Sequence, residues 1–311
     1  MEIHISLQDK QMPTGLGRNC DSVDLLHPLH ALTTLCLVLT GVIVSSGVAA
    51  AQTGPETPAA RNVAYVENGH QRQRLHVYLP ATGKNWPLVI WIHGGGWESG
   101  NHDYSPARFL VNEGFAVASI GYRLSTDAPF PAQIQDCKAA IRWLKKQAPR
   151  FGYNPERVGV WGQSAGGHLA SLVGTTGADS IFDVGANLES KSNVQVVIDF
   201  CGPTDLSLYG QSKADDTLGR LIGGPIQNNA AKVKAANPLS YIQKDQLPAF
   251  LIVHGDRDNI VPIKHSELLV NALKANGGDV TYHIAKGKQH DVRENDTPQR
   301  VTAFFKANLQ K

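Results

Sequence analysis

The sequence predicts an α/β fold in which a mostly parallel sheet is flanked by helices. Short, nearly continuous apolar runs rich in β-branched residues recur along the chain, as is typical of strands covered on both faces. Helical patterns lie between these runs, and strands that alternate with helices are typical of a parallel sheet. The predicted strands are Leu75–Leu79, Leu88–His93, Ala116–Tyr122, Val158–Gly162, Val194–Cys201, Ala249–His254 and Val280–Ile284.

The clearest helical pattern follows Pro131, a residue that favours the first turn of a helix. Apolar residues between Ile134 and Ala148 recur at intervals of three and four, and charged residues such as Lys138 and Arg142 occupy the other side. We therefore expect an amphipathic helix. Two further helices are expected over Lys264–Asn276 and around Val301–Leu309.

The 311 residues divide into three segments by composition. An apolar run over Leu32–Val44 is followed by small residues at Ala49 and Ala51, the spacing that a signal peptidase requires. We predict a signal peptide over residues 1–51 and a secreted or periplasmic protein, with an uncleaved anchor as the alternative. Residues 52–62 are predicted to be a linker, and residues 63–311 a single domain.

Composition excludes several classes of protein. Hydrophobic residues make up 42% and charged residues 18%, which fits a globular domain and excludes disordered and fibrous chains. The net charge is only +2 without blocks of like charge, so neither nucleic-acid nor membrane binding is expected of the domain. Cys137 and Cys201 are predicted to be buried thiols. No Cys/His cluster has metal-ligand spacing, so neither a metal nor a cofactor is expected.

The strongest chemical signal is the sequence GQSAG at 162–166, which directly follows a predicted strand. In a G-x-S-x-G turn between a strand and a helix, the serine is held in a strained, exposed conformation. The helix beginning at Ala165 also brings the positive end of its dipole near any developing anion. Ser164 is therefore the candidate nucleophile.

A glycine-rich turn, HGGGW at 93–97, directly follows another predicted strand. Glycines allow main-chain N–H groups to approach a ligand closely. In acyl transfer such groups stabilise an oxyanion, and each donor contributes about 3–4 kcal/mol. We assign these donors to the amides of Gly95, Gly96 and Ala165. A phosphate-binding turn is the alternative, but no G-x-G-x-x-G or Lys-Ser/Thr accompanies it.

A serine nucleophile needs a base and an orienting acid, and this type of turn predicts the chain order Ser, Asp, His. Asp258 follows a predicted strand and is the preferred acid, with Asp256 as the alternative. His290 follows the last predicted strand and is the candidate base. The other histidines near these elements are expected to be structural: His93 braces the glycine turn, His168 faces a packed interface, His254 ends a strand and His265 lies on a helix surface.

From about residue 62 onward, the chain resembles α/β-hydrolase esterases, and most closely the group of bifunctional acetylxylan and feruloyl esterases (BD-FAE-like). The shared stretches are HGGGW at 93–97, YRLS at 122–125, FPAQIQDCKAAIRWL at 130–144, RVGVWGQSAGGHLA at 157–170, GPTD at 202–205 and HGDRDNIVP at 254–262. The resemblance implies that Ser164, Asp258 and His290 form a triad that hydrolyses short-chain carboxylic esters, including acetyl or feruloyl esters of plant polysaccharide. Hormone-sensitive-lipase-like esterases usually have an aspartate where this chain has Gln163, which favours the first group.

Two other functions remain open from the sequence. Kynurenine formamidases share an HGG-x-W turn and the same triad order, so an arylformamidase is one alternative. A non-catalytic binding protein that keeps the fold is the other, although such proteins typically lose the serine or the histidine. Trp97 and Tyr209 are candidates either for lining the substrate pocket or for packing. The irregular segment 202–248 is a candidate lid, and the oligomeric state is not predicted.

Overall fold

The computed structural model describes residues 54–55, 57–177, 179–244 and 246–310. The predicted signal peptide over 1–51 lies outside the described residues. Among the described helices, none combines the length and the apolar character needed to cross a membrane.

The described residues contain a single sheet that confirms the predicted fold class. Its strands are β1 (Ala60–Ala64), β2 (Arg74–Tyr78), β3 (Trp86–Ile92), β4 (Ala116–Ile120), β5 (Tyr153–Gln163), β6 (Val196–Phe200), β7 (Ala249–Gly255) and β8 (Val280–Ala285). Their order in the sheet is β1-β2-β4-β3-β5-β6-β7-β8. β1 pairs with β2, and β2 with β4, in antiparallel fashion, whereas every pair from β4 to β8 is parallel.

The seven predicted strands are all present, and β1 is an eighth that the sequence analysis missed. It begins at Ala60, inside the segment 52–62 that we predicted to be a linker, so the sheet extends further toward the N-terminus than predicted. β1 is an edge strand with mostly exposed side chains. It therefore lacks the continuous apolar run by which the buried strands were recognised.

The described residues contain six α-helices. They are α1 (Ala132–Phe151), α2 (Ala165–Thr175), α3 (Thr217–Ile222), α4 (Ala230–Ala235), α5 (Lys264–Ala275) and α6 (Thr297–Leu309). Helices α1, α2 and α5 pack in one hydrophobic cluster, and α6 packs in the other. Leu88, Ile90 and Ile92 of β3 belong to the first cluster, whereas Val89 and Trp91 belong to the second. This alternation is the period of two expected for a strand covered on both faces.

Part of the charged side of α1 is buried, whereas Lys146 of the same side is exposed. Lys138 and Arg142 have exposed fractions of 0% and 1%. The Lys138 ammonium donates to the carbonyl oxygens of Thr176 and Ile181 at 3.1 and 2.6 Å, and Arg142 pairs with Asp183. The segment after α2 therefore covers this face, and its carbonyl and carboxylate groups replace water around the two cations.

The irregular segment 202–248 folds into short helices. These are α3, α4 and the 3₁₀ helices Leu206–Tyr209, Ile226–Asn228 and Pro238–Tyr241. Thr217, the first residue of α3, lines the cleft that contains Ser164. The segment therefore contributes a wall to the site, and its action as a lid stays a prediction.

Candidate active site

Ser164 lies in the tight turn between β5 and α2. Its backbone has φ of +58° and ψ of −122°, a region that residues with a Cβ rarely adopt. A Cβ at Gly162 would lie 2.0 Å from the Gly166 carbonyl oxygen, and one at Gly166 would lie 2.1 Å from the Ile92 carbonyl oxygen. Both glycines are therefore required by close backbone packing, which accounts for the G-x-S-x-G spacing.

His290 lies within hydrogen-bond distance of both other residues predicted to form the triad. His290 Nδ1 is 2.7 Å from Asp258 Oδ2, and His290 Nε2 is 2.9 Å from Ser164 Oγ. Because a carboxylate oxygen can only accept, Nδ1–H donates to Asp258 and Nε2 accepts from the serine hydroxyl. This arrangement orients the imidazole as a base toward the serine.

The environment of Asp258 keeps its carboxylate ionised. Its side chain has no exposed surface, and burial alone raises the pKa of Asp258. Hydrogen bonds from His254, His290 and the main-chain N–H groups of Val261 and Ile260 outweigh burial and hold that pKa well below its ordinary value. The carboxylate can therefore stabilise a positive charge on His290.

The alternative acid, Asp256, has different partners. Its Oδ1 accepts from the Gly287 main-chain N–H at 2.6 Å, and its Oδ2 lies 3.7 Å from the Lys286 ammonium. The structure therefore brings Asp258, and not Asp256, against the imidazole of His290. Asp256 instead connects the turn after β7 to the turn after β8.

The glycine turn after β3 is braced by His93, as predicted. His93 Nδ1 donates to the Gly94 carbonyl oxygen at 2.8 Å, and its ring stacks on Tyr122 with 4.2 Å between centroids. The Tyr122 hydroxyl in turn donates to the His93 carbonyl oxygen at 2.9 Å. These contacts fix the start of the turn, and burial lowers the pKa of His93 to about 4, so its ring is neutral near pH 7.

The residues assigned to the oxyanion site lie beside the nucleophile. Gly95 and Gly96 have φ of +104° and +59° and line the same cleft as Ser164, and Ala165 is the first residue of α2. Within the described part of the chain, the amides of Gly95 and Gly96 donate no hydrogen bond to a protein acceptor. These donors are therefore free to bind an oxygen of a ligand.

The cleft around Ser164 has a volume of about 580 Å³. Its lining includes Gly95, Gly96, Tyr104, Ser164, Thr217, Ile260 and His290. Tyr104 and Ile260 are each 60% exposed, and the Tyr104 hydroxyl accepts from Arg293 at 3.2 Å. Sequence reasoning missed these two residues because no local pattern shows which loop side chains reach a shared cleft.

The two candidate pocket residues do not line this cleft. Trp97 is 4% exposed, and its indole N–H donates to His168 Nδ1 at 3.2 Å, so it packs beneath the site together with the histidine predicted to be structural. Tyr209 packs against the ring of His265, with 5.0 Å between centroids. His265 is buried rather than on a helix surface, and its Nδ1 accepts from the main-chain N–H of Thr204. The buried position of Trp97 is explained by its large aromatic surface, which is removed from water, and by its indole N–H, which has an acceptor.

One group of possible metal ligands lies away from the triad. His76 Nε2 is 2.9 Å from Asp103 Oδ1, and His102 lies beside them. His76 Nδ1, however, accepts the main-chain N–H of Asn62 at 2.9 Å, so the ring proton is on Nε2. If His76 bound a metal through Nε2, its neutral ring would carry the proton on Nδ1, and this proton would face the main-chain N–H of Asn62. The donor set therefore does not fit a metal.

A second group comprises Cys201, Asp258 and His290. The Cys201 thiol donates to the His290 carbonyl oxygen at 3.3 Å, and burial raises the pKa of this thiol well above its ordinary value. Because metals bind the thiolate, a protonated, hydrogen-bonded thiol does not fit a metal site. Both cysteines of the described chain are buried free thiols, as predicted.

The BD-FAE family model matches residues 75–273, which run from the second residue of β2 through β7 and include the turns that carry Ser164 and Asp258. The chain belongs to the BD-FAE family. This membership confirms the resemblance to α/β-hydrolase esterases of the BD-FAE type that the sequence motifs indicate. His290 lies beyond the matched residues, and its place in the site depends on the geometry given above.

Relatives of this BD-FAE chain include proteins named as esterases. Esterase LipC of Mycobacterium tuberculosis (strain ATCC 25618 / H37Rv) is 28% identical, over 76% of this chain and 64% of the relative. The structure of a truncated carbohydrate esterase from gut microbiota is 30% identical with a TM-score of 0.76, covering 84% of this chain and 99% of that one. A bifunctional GH43-CE structure from Bacteroides eggerthii is 32% identical with a TM-score of 0.73, covering 79% of this chain and 34% of that one. The chain spans between 27% and 64% of the length of the curated relatives it matches here.

Proposed function

We propose that the chain is a carboxylic ester hydrolase in which Ser164 is the nucleophile, His290 the base and Asp258 the acid. The observation that carries this proposal is the continuous hydrogen-bonded path from Asp258 through His290 to Ser164, with distances of 2.7 and 2.9 Å. The strained turn at Ser164 and the names of the relatives support it. A binding protein that merely kept the fold would have no need for this path.

The proposed reaction has two steps. His290 Nε2 takes the proton of Ser164 Oγ as this oxygen attacks the ester carbonyl, and the amides of Gly95, Gly96 and Ala165 hold the oxyanion. The protonated imidazole then gives its proton to the leaving alcohol, which leaves an acyl group on the serine. Water releases the acid by the same route, and Asp258 remains ionised throughout.

The proposed substrates are short-chain esters, including acetyl or feruloyl esters of plant polysaccharide. Two structural neighbours are described as a carbohydrate esterase and a bifunctional GH43-CE protein, which supports a carbohydrate-linked ester. The cleft of about 580 Å³ is open enough for an ester on a bulky alcohol. Secretion or periplasmic export, proposed from residues 1–51, would bring the enzyme to such substrates.

A substrate panel together with an active-site label tests the proposal. We expect a fluorophosphonate to label Ser164, and p-nitrophenyl acetate, acetylated xylan and methyl ferulate to be hydrolysed, with rates that fall along p-nitrophenyl esters of increasing chain length. Faster hydrolysis of formylkynurenine than of any ester would favour the arylformamidase instead. Absence of both labelling and hydrolysis in the folded protein would favour the binding protein.

Tyr104 gives a prediction about substrate affinity. Its exposed ring lines the cleft, and a stacked ring contact contributes about 0.5–1.5 kcal/mol, so Tyr104→Ala should raise KM for methyl ferulate by about 2- to 10-fold. The value of kcat should change little, because Tyr104 has no hydrogen bond to the triad in the described structure. Steady-state kinetics measure both constants.

The matched control is Tyr104→Phe, which keeps the ring but loses the hydrogen bond with Arg293. This variant should retain the wild-type KM for methyl ferulate. Methyl acetate, which has no ring to stack, should show nearly the same KM with all three proteins. An equal rise in KM for both esters would contradict a stacking role.

A further inference from the structure

A second imidazole lies beside the acid, and the proposed mechanism does not use it. His254, in β7, is fully buried, and its Nε2 is 3.3 Å from Asp258 Oδ2. The same carboxylate oxygen accepts from His290 at 2.7 Å. Asp258 therefore lies between two histidines, of which only one faces the nucleophile.

The hydrogen bonds of His254 determine which of its nitrogens carries the proton. Nε2 lies 2.8 Å from the Val261 carbonyl oxygen and 3.3 Å from the Asp258 carboxylate, and both groups can only accept. Nε2 therefore carries hydrogen. Nδ1 lies 2.6 Å from Ser266 Oγ, so the serine hydroxyl donates to it. Ser266 thus fixes the tautomer of His254 in which Nε2–H faces Asp258.

His254 also holds the other end of the loop that positions the acid. The main-chain N–H of Val261 donates to Asp258 Oδ1 at 2.9 Å, while the carbonyl oxygen of the same residue accepts from His254. One oxygen of the carboxylate thus lies 3.3 Å from His254 Nε2, and the other accepts from Val261, whose carbonyl oxygen binds His254. Rotation of the carboxylate away from His290 would break both sets of contacts.

We propose that His254 is a positioning residue that holds the Asp258 carboxylate in the orientation His290 requires. The inference rests on the proposed function, since it assigns His254 a role in the same reaction. The other groups near this ring are Asp199 and His265, which interact with it electrostatically without a hydrogen bond to it. They do not replace the donor that His254 supplies.

The decisive comparison is between His254→Asn and His254→Gln. The asparagine amide occupies the position of Nδ1 and reaches Ser266 but not the acid, whereas the glutamine amide reaches the position of Nε2 and can donate to Asp258. We expect His254→Asn to lower kcat by about 10- to 100-fold, the usual effect of a small misplacement of a catalytic group, with KM within about twofold. His254→Gln should recover most of the lost kcat.

A double-mutant cycle with Asp258→Asn separates positioning from general damage to the fold. If His254 acts through Asp258, adding His254→Asn to Asp258→Asn should change kcat less than about threefold, because coupled residues are not additive. The same 10- to 100-fold loss in both backgrounds would overturn the inference. Thermal unfolding of each variant shows whether it is folded. Ser266→Ala removes the hydroxyl that fixes the tautomer of His254, and it should give a smaller loss of kcat than His254→Asn.

The experiment also separates this inference from the proposed function. If the wild-type protein hydrolyses no ester, or if Ser164→Ala keeps its activity, the proposed function fails. If those results are as expected but His254→Asn keeps the wild-type kcat, only the role of His254 is wrong.

Discussion

Replacing Ser164 by alanine is expected to abolish ester hydrolysis, with kcat falling by about 10⁵- to 10⁶-fold. The change removes the oxygen that lies 2.9 Å from His290 Nε2 and leaves the turn otherwise intact. No acyl intermediate can form without this oxygen, so the only remaining catalysis is stabilisation of a water-attack transition state by the main-chain amides. Hydrolysis of p-nitrophenyl acetate measures the loss.

Ser99→Ala is the matched control, because Ser99 is a second serine that lines the same cleft. Its hydroxyl donates to the Gly95 carbonyl oxygen at 3.0 Å rather than to an imidazole. We expect this variant to keep its activity within about tenfold and to retain fluorophosphonate labelling. A folded Ser164→Ala protein with more than about 1% of the wild-type kcat would show that another residue is the nucleophile.

The convergence of the triad residues could be predicted because the fold restricts where they lie. In a parallel sheet, the carboxyl ends of the strands meet at one edge, so residues that follow β5, β7 and β8 are brought near one another. Each of these strands is an apolar run followed by a turn, and such a local pattern can be read from sequence. This rule and the chain order indicate Ser164 and His290 but leave Asp258 and Asp256 as rivals for the acid, since both lie in the turn after β7.

The missed features depend on contacts between segments that are distant in sequence. Lys138 is buried by a segment about 40 residues away, and neither segment alone shows this. Trp97 follows the glycine turn as a pocket residue would, but its contact is with His168, 71 positions later. The apolar run predicts correctly that His254 lies at the end of a strand, but its contact with Asp258 depends on how the turn after β7 folds back. Periodicity carries no information about such contacts.

Asp258→Asn is expected to lower kcat by about 10⁴-fold, whereas Asp256→Asn should change it by less than about threefold. In the first variant, an amide replaces the carboxylate that accepts from His290 Nδ1–H, so the imidazole loses both its orientation and the charge that stabilises its protonated form. In the second, the amide oxygen can still accept from the Gly287 N–H. The value of kcat for p-nitrophenyl acetate measures both effects.

The two variants form a matched pair. In each, an amide nitrogen replaces one carboxylate oxygen, and the two residues lie two positions apart in the same turn. Asp256→Asn should lower the midpoint temperature of thermal unfolding less than Asp258→Asn does. The Asp256 carboxylate is partly exposed, whereas the Asp258 carboxylate is enclosed and accepts from two main-chain N–H groups. A large loss of kcat in Asp256→Asn with Asp258→Asn nearly active would make Asp256 the acid. The loop after β7 would then have to rearrange when substrate binds, because of these two aspartates it is Asp258 that contacts the His290 imidazole in this structure.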